Sequence, residues 1–239
     1  RLAVVVDHRK LGMLLRLPRR LFKEARALVK AGDVKEGGWL AGIALGIMIE
    51  LRCPMRRANL VGLRMDRHLL REAGRKGRII RFMIEGVETK TGAPLRWPVS
   101  PKVAEAIDIY LKEFWPLVAP PGSPFLFPHR LRADEHRAAA GFAGAICRVI
   151  HDRIGVEMNL HLFRAVCGSI LLDDNPDALD DLRQLLGHAT LQTSLQYYRA
   201  RNPDRVARRV DAALDRLMRE TEAEAEADWS RLHGRRRAA

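Results

Sequence analysis

Residues 37–52, GGWLAGIALGIMIELR, constrain the fold most. Leu40, Ile43, Ala44, Ile47, Met48 and Leu51 spread apolar side chains over more than half of a helical circumference, so this helix needs cover on several sides. It predicts a central buried helix with other elements built round it.

The neighbours supply that cover. From Pro18, PRRLFKEARALVKAG carries Leu21, Ala25, Leu28 and Val29 at helical spacing between a Pro start and a Gly32 stop, and predicts an amphipathic helix. After the break at Pro54, MRRANLVGLRMD continues the helical pattern. Between 77 and 99 the texture changes: GRIIRFMIEG and PLRWPVS are rich in β-branched and aromatic residues, and ETKTG between them has turn character. A small antiparallel sheet with Lys90 at or near a turn is expected. Further helices are predicted from Pro101 to Trp115, Glu135 to Ile154, His161 to Leu172, Pro176 to Leu186, Leu191 to Ala200 and Pro203 to Ala227. ETEAEAEAD then reads as a solvated acidic stretch, and GRRRAA as a frayed basic end. The fold class expected is mainly α with a small antiparallel β-sheet (α+β).

Composition narrows the partners. Lys and Arg number 42 against 29 Asp and Glu, a net charge of +13, which points to a polyanion, most often nucleic acid. No apolar run approaches the ~20 residues needed to cross a bilayer, so no membrane partner is expected. Cys53, Cys147 and Cys167 are odd in number and widely spaced, which argues against a disulfide framework or zinc site and for a reducing, cytoplasmic setting.

Two segments carry candidate chemistry. In NLHLFRAVCGSILL, His161 and Arg164 share one helix face while Leu160, Phe163, Val166, Cys167, Ile170 and Leu171 form the core face. In RQLLGHATLQTSLQYYR, Gly187 is a C-terminal cap that frees His188 from helical geometry. Leu191, Leu195 and Tyr198 then form an apolar stripe, whereas Thr190, Thr193, Ser194 and Tyr197 line a polar face. Tyr198 is therefore assigned to packing and Tyr197 looks outward. Either segment alone suits an ordinary solvated surface.

Together they resemble the catalytic signature of the tyrosine recombinase (phage integrase) family: H-x-x-R, then L-G-H, then a tyrosine nine residues after that histidine. Two upstream elements of the family are also matched. PMRRANLVGL resembles the segment that opens on the first catalytic arginine and places Arg56 there, with Leu60 and Leu63 in apolar register. TKTGAPLRWPVS resembles the β-hairpin that carries the catalytic lysine and places Lys90 there. One departure stands out, because the family's acidic residue three after the arginine is Asn59 here. Arg52 and Arg57 compete with Arg56, which alone sets the following apolar positions in register.

The resemblance implies the tyrosine recombinase catalytic-domain fold and strand breakage in double-stranded DNA by Tyr197. It implies Arg56, Arg164 and His188 as donors to the scissile phosphate, His161 as general base and Lys90 as general acid. Neither metal nor nucleotide is implied as cofactor. Type IB topoisomerases share this chemistry, so DNA relaxation is an alternative; a silent DNA-binding remnant is another. Residues 1–17 are expected to lead in from an upstream DNA-clamping domain, 18–202 to form the catalytic domain, and 203–239 to form a C-terminal helix and charged tail. The family also implies a homo-oligomer, a tetramer on DNA, joined through the C-terminal helix, which is expected in its own core before DNA is bound. A bacterial, nucleoid-associated setting is implied too.

Overall fold

The computed structural model describes residues 7–72, 77–90, 92, 94–160, 162–164, 166–167, 170 and 203–234. Its first helix, α1, spans His8–Lys30, capped by Asp7, whose Oδ1 accepts from the amides of Arg9 at 3.1 Å and Lys10 at 3.2 Å. It starts ten residues before Pro18, which the sequence had marked as a start and which lies inside the helix. An interior proline costs roughly 3 kcal/mol, but Leu11, Leu14, Leu15, Leu17, Leu21 and Ala25 are all buried, and burial of one such leucine returns ~2 kcal/mol. The continuous apolar stripe outweighs the local break.

Helix α2, Val34–Glu50, runs through the core as its composition requires. Its near side to α1 is glycine: a Cβ at Gly37 would meet the Ala25 carbonyl oxygen at 2.7 Å, so only glycine lets the two backbones approach this closely. The helix stops before Pro54, and α3 is only one turn and a half, Arg57–Val61, with Arg56 as its N-cap.

The sheet has three antiparallel strands in the order β1 (Leu69–Arg71), β2 (Ile79–Ile84), β3 (Leu95–Pro98). The two longer strands were legible; β1 was not, being three residues of which only Leu69 is buried. Phe82 pairs with Trp97 across β2 and β3, and both are buried against the helices.

Helix α4, Pro101–Ile109, is capped by Ser100, whose Oγ accepts from the Val103 amide at 3.4 Å. A π-helical turn, Tyr110–Phe114, joins it to α5, Trp115–Val118. Pro116 explains the widened turn, because its ring would strike the Lys112 carbonyl in a regular α-helix. Helix α6 spans Ala139–Ile154 and ends on left-handed Gly155. It starts later than Glu135 because that stretch is used in extended pairing: Pro128 bridges His136, and the Arg137 amide donates to Phe127 at 2.9 Å.

The C-terminal part corrects the sequence reading. Helix α7, Pro203–Glu220, is followed by a second helix, α8, Glu222–Gly234, where a solvated acidic stretch was expected. Thr221, Ala225 and Trp229 recur every four residues and are buried, a helical stripe hidden among glutamates. α8 lies against α1 of the same chain, with the Arg20 guanidinium 4.4 Å from the Trp229 ring centroid.

Candidate active site

The site begins where α2 ends. Residues 51–56 turn out of the helix, and Arg56, in extended conformation, enters α3 with its side chain half-buried. Leu60 and Leu63 are fully buried below it and hold the turn in place.

Arg164 approaches the same turn from the other side. Leu160, residues 162–164, 166–167 and Ile170 are helical, and Leu160, Phe163, Val166, Cys167 and Ile170 are buried as the spacing predicts. The Arg164 guanidinium donates from Nη1 to the Pro54 carbonyl at 3.0 Å. One turn on, the Cys167 thiol lies 3.3 Å from the Leu51 carbonyl. Burial holds the Arg164 pKa below the ordinary arginine value, the Arg56 charge lowers it further, and Glu50 pulls the other way. Two forked cations are thus held close to each other beside a partly buried wall, an arrangement that an anion would relieve.

The competing arginines are placed differently. Arg52 is buried in ion pairs with Asp211 and Asp215 of α7, the latter at 3.1 Å. Arg57 is exposed. A shallow pocket beside Arg56 is lined also by Arg57, Cys147, Asn159 and Leu160.

Lys90 is exposed on the turn between β2 and β3, after a single 3-10 turn, Gly86–Glu88. The base of that turn is pinned. Glu88 meets Arg67 at 3.0 Å and His68 Nε2 at 3.2 Å, and His68 Nδ1 accepts from the Arg64 amide at 3.0 Å. His68 must therefore carry its proton on Nε2 to donate to Glu88. Cys53 extends the link to the Arg56 turn, its thiol lying 3.8 Å from the Pro98 carbonyl at the end of β3.

His161, His188, Tyr197 and its neighbour Tyr198 lie outside the described residues. Asn59 is buried, and its amide nitrogen has no hydrogen-bond partner among the described residues. Sequence reasoning passed over Glu50, the last residue of α2, which is fully buried at the arginine site. Its signal was a lone acid at the end of an otherwise apolar run. Among the described residues no group of three or more His, Cys, Asp or Glu is arranged to hold a metal, and no helix is long and apolar enough to cross a membrane.

Residues 22–205 match the model of the phage integrase family. The chain belongs to that family. Its helical body and three-stranded antiparallel sheet suit the tyrosine recombinase fold, and membership assigns it to DNA recombination and integration. A search of curated proteins finds no significant match.

Proposed function

We propose that this integrase-family chain is a site-specific DNA strand transferase that works through a 3′-phosphotyrosyl intermediate. A phosphodiester repels nucleophiles, and negative charge on its non-bridging oxygens grows as phosphorus becomes five-coordinate. Arg56 and Arg164 meet that charge with fixed donors, and His188 adds another. Removing one such donor raises the barrier by about 3 kcal/mol.

Tyr197 supplies the attacking oxygen. A phenol has a reference pKa of about 10, so His161 takes its proton as the new P–O bond forms. The P–O bond to the 5′ oxygen breaks, and Lys90 returns a proton to that oxygen. The products are a 3′-phosphotyrosyl enzyme and a free 5′-hydroxyl; attack of that hydroxyl, or of one on another strand, on the phosphotyrosine re-forms a phosphodiester, breaks the P–O bond to Tyr197 and returns a proton to its phenolate oxygen. The hairpin position of Lys90 suits delivery of its proton from outside the arginine wall. Exchange of the α7–α8 segment between copies of the chain on DNA belongs to the same proposal.

The observation that carries this reading is the convergence of Arg56 and Arg164, which are 108 residues apart in sequence, on one turn. A nicked suicide duplex tests it. Wild type and Tyr198→Phe should form a denaturant-resistant protein–DNA adduct, and Tyr197→Phe should form none. An adduct that survives Tyr197→Phe but not Tyr198→Phe would reverse the assignment.

A further inference from the structure

Glu50 is the acid that the proposed chemistry does not use. It is fully buried, and apart from the Met55 amide neither carboxyl oxygen has a hydrogen-bond donor beside it among the described residues. A carboxyl group in that state costs several kcal/mol unless a charge lies near. The charge that most favours its ionised form is that of Arg164. The helical segment that carries Arg164 crosses the end of α2, with the Cys167 thiol against the Glu50 and Leu51 carbonyls at 3.8 and 3.3 Å and Arg164 Nη1 on the Pro54 carbonyl at 3.0 Å.

We propose that Glu50 is the positioning residue of the Arg56–Arg164 anion site, its carboxylate acting from within the core to fix the direction in which Arg164 presents its guanidinium. The inference rests on the phosphate-binding half of the proposed function and is independent of Tyr197.

The surroundings support the role. Burial drives the Glu50 pKa well up, while Arg164, and to a smaller degree the Met55 amide, pull it back. Among the described residues, the other titratable or charged groups facing this spot are Cys53 and Cys167, with Arg52 beyond them, and both thiols are held neutral by burial. Among the described residues Arg164 is therefore the cation on which the ionised form of Glu50 depends. Asn59, in α3, is uncharged and supplies no countercharge to Arg164.

The sign of one measurement separates positioning from plain electrostatics. By Coulomb's law alone, neutralising an acid beside two cations tightens an anion. If Glu50 aims Arg164, neutralising it loosens the anion. Inorganic phosphate is titrated into wild type, Glu50→Gln and Glu50→Asp, followed by the arginine Nε–H resonances, and single-turnover cleavage of the nicked duplex is timed in parallel.

Glu50→Gln should bind phosphate about threefold or more weaker despite its added net positive charge, and cleave about tenfold slower, the size typical of lost support to a site ligand. Glu50→Asp should recover part of both. In wild type, which needs no substitution, the Glu50 carboxyl carbon signal should move with the same apparent Kd as Arg164. Equal or tighter phosphate binding by Glu50→Gln, or an Arg164 signal that moves while Glu50 stays still, overturns the inference. If phosphate binding depends on Glu50 but wild type forms no covalent adduct, the strand-transfer reading fails and the positioning role stands.

Discussion

Arg52 Nη2 lies 3.1 Å from Asp215 Oδ1, and this contact fastens α7 to the turn that carries Arg56. The same guanidinium pairs with Asp211, and Lys102 reaches Asp215 from α4 at 2.6 Å. Arg52 is only 8 % exposed, whereas the two aspartates are 24 and 22 % exposed. Removing one partner of a buried pair costs about 3–5 kcal/mol, and water reaching the aspartates puts this case at about 3. Arg52→Met should therefore lower Tm in calorimetry by about 6–12 °C for a chain of this size. A loss below about 1 kcal/mol would mean that the network behaves as a surface pair.

Asp215 also makes stability depend on pH. Burial raises its pKa, but the Lys102 hydrogen bond and the Arg52 charge and hydrogen bond together outweigh burial, so the net direction is down. A carboxyl depressed in the folded state contributes stability above its unfolded pKa of about 3.9 and loses it as pH falls through the lower folded value. Urea unfolding of wild type from pH 6 down to pH 2.5 should show that loss, and Asp215→Asn should flatten the acid limb. A wild-type limb identical to that of Asp215→Asn would remove Asp215 from the account.

Gly12 marks where α1 meets the break between α7 and α8. A Cβ there would stand 2.3 Å from the Thr221 hydroxyl oxygen and 2.6 Å from its Cβ, and Arg16 Nη1 donates to that hydroxyl at 2.8 Å. In a free helix Gly→Ala gains about 1 kcal/mol. Here Gly12→Ala should lose roughly 1–3 kcal/mol through overpacking. Adding Thr221→Gly should restore part of the loss, whereas Thr221→Ala, which keeps the Cβ, should not. Thermal melts of the three variants decide it.

The central helix and the β2–β3 hairpin were legible because each carries a local signal: an apolar circumference, or a run of β-branched and aromatic residues. What escaped depends on distant partners. Pro18 looked like a helix start until the leucines before it proved to share the stripe after it. The acidic stretch 220–228 looked solvated because three buried residues spaced by four are a weak pattern among charges, and only α1 makes them a core face. Glu50 could be noticed as a charge in an apolar run, but its meaning comes from Arg164, which lies 114 residues further along the chain.

Thiol reactivity gives a direct reading of order at the arginine site. Burial pushes the Cys53 thiol up to about 12, with Arg52 opposing and Glu50 adding to the rise. Cys167 is pushed up as well, first by burial and then by Glu50. At pH 8 only about one Cys53 in ten thousand is then a thiolate, against about a quarter of free cysteine, and the thiolate is the reacting form. Cys147 is only half-buried and lines the pocket beside Arg56. Native protein should therefore release one equivalent of thionitrobenzoate from Ellman's reagent within minutes, and all three in guanidinium. Cys147→Ser should abolish the fast phase, and a short DNA duplex, by covering the pocket, should slow it in wild type. Fast reaction of a second thiol would show that the turn between Glu50 and Arg56 opens readily, and the fixed arginine pair would then fail as a description of the resting site.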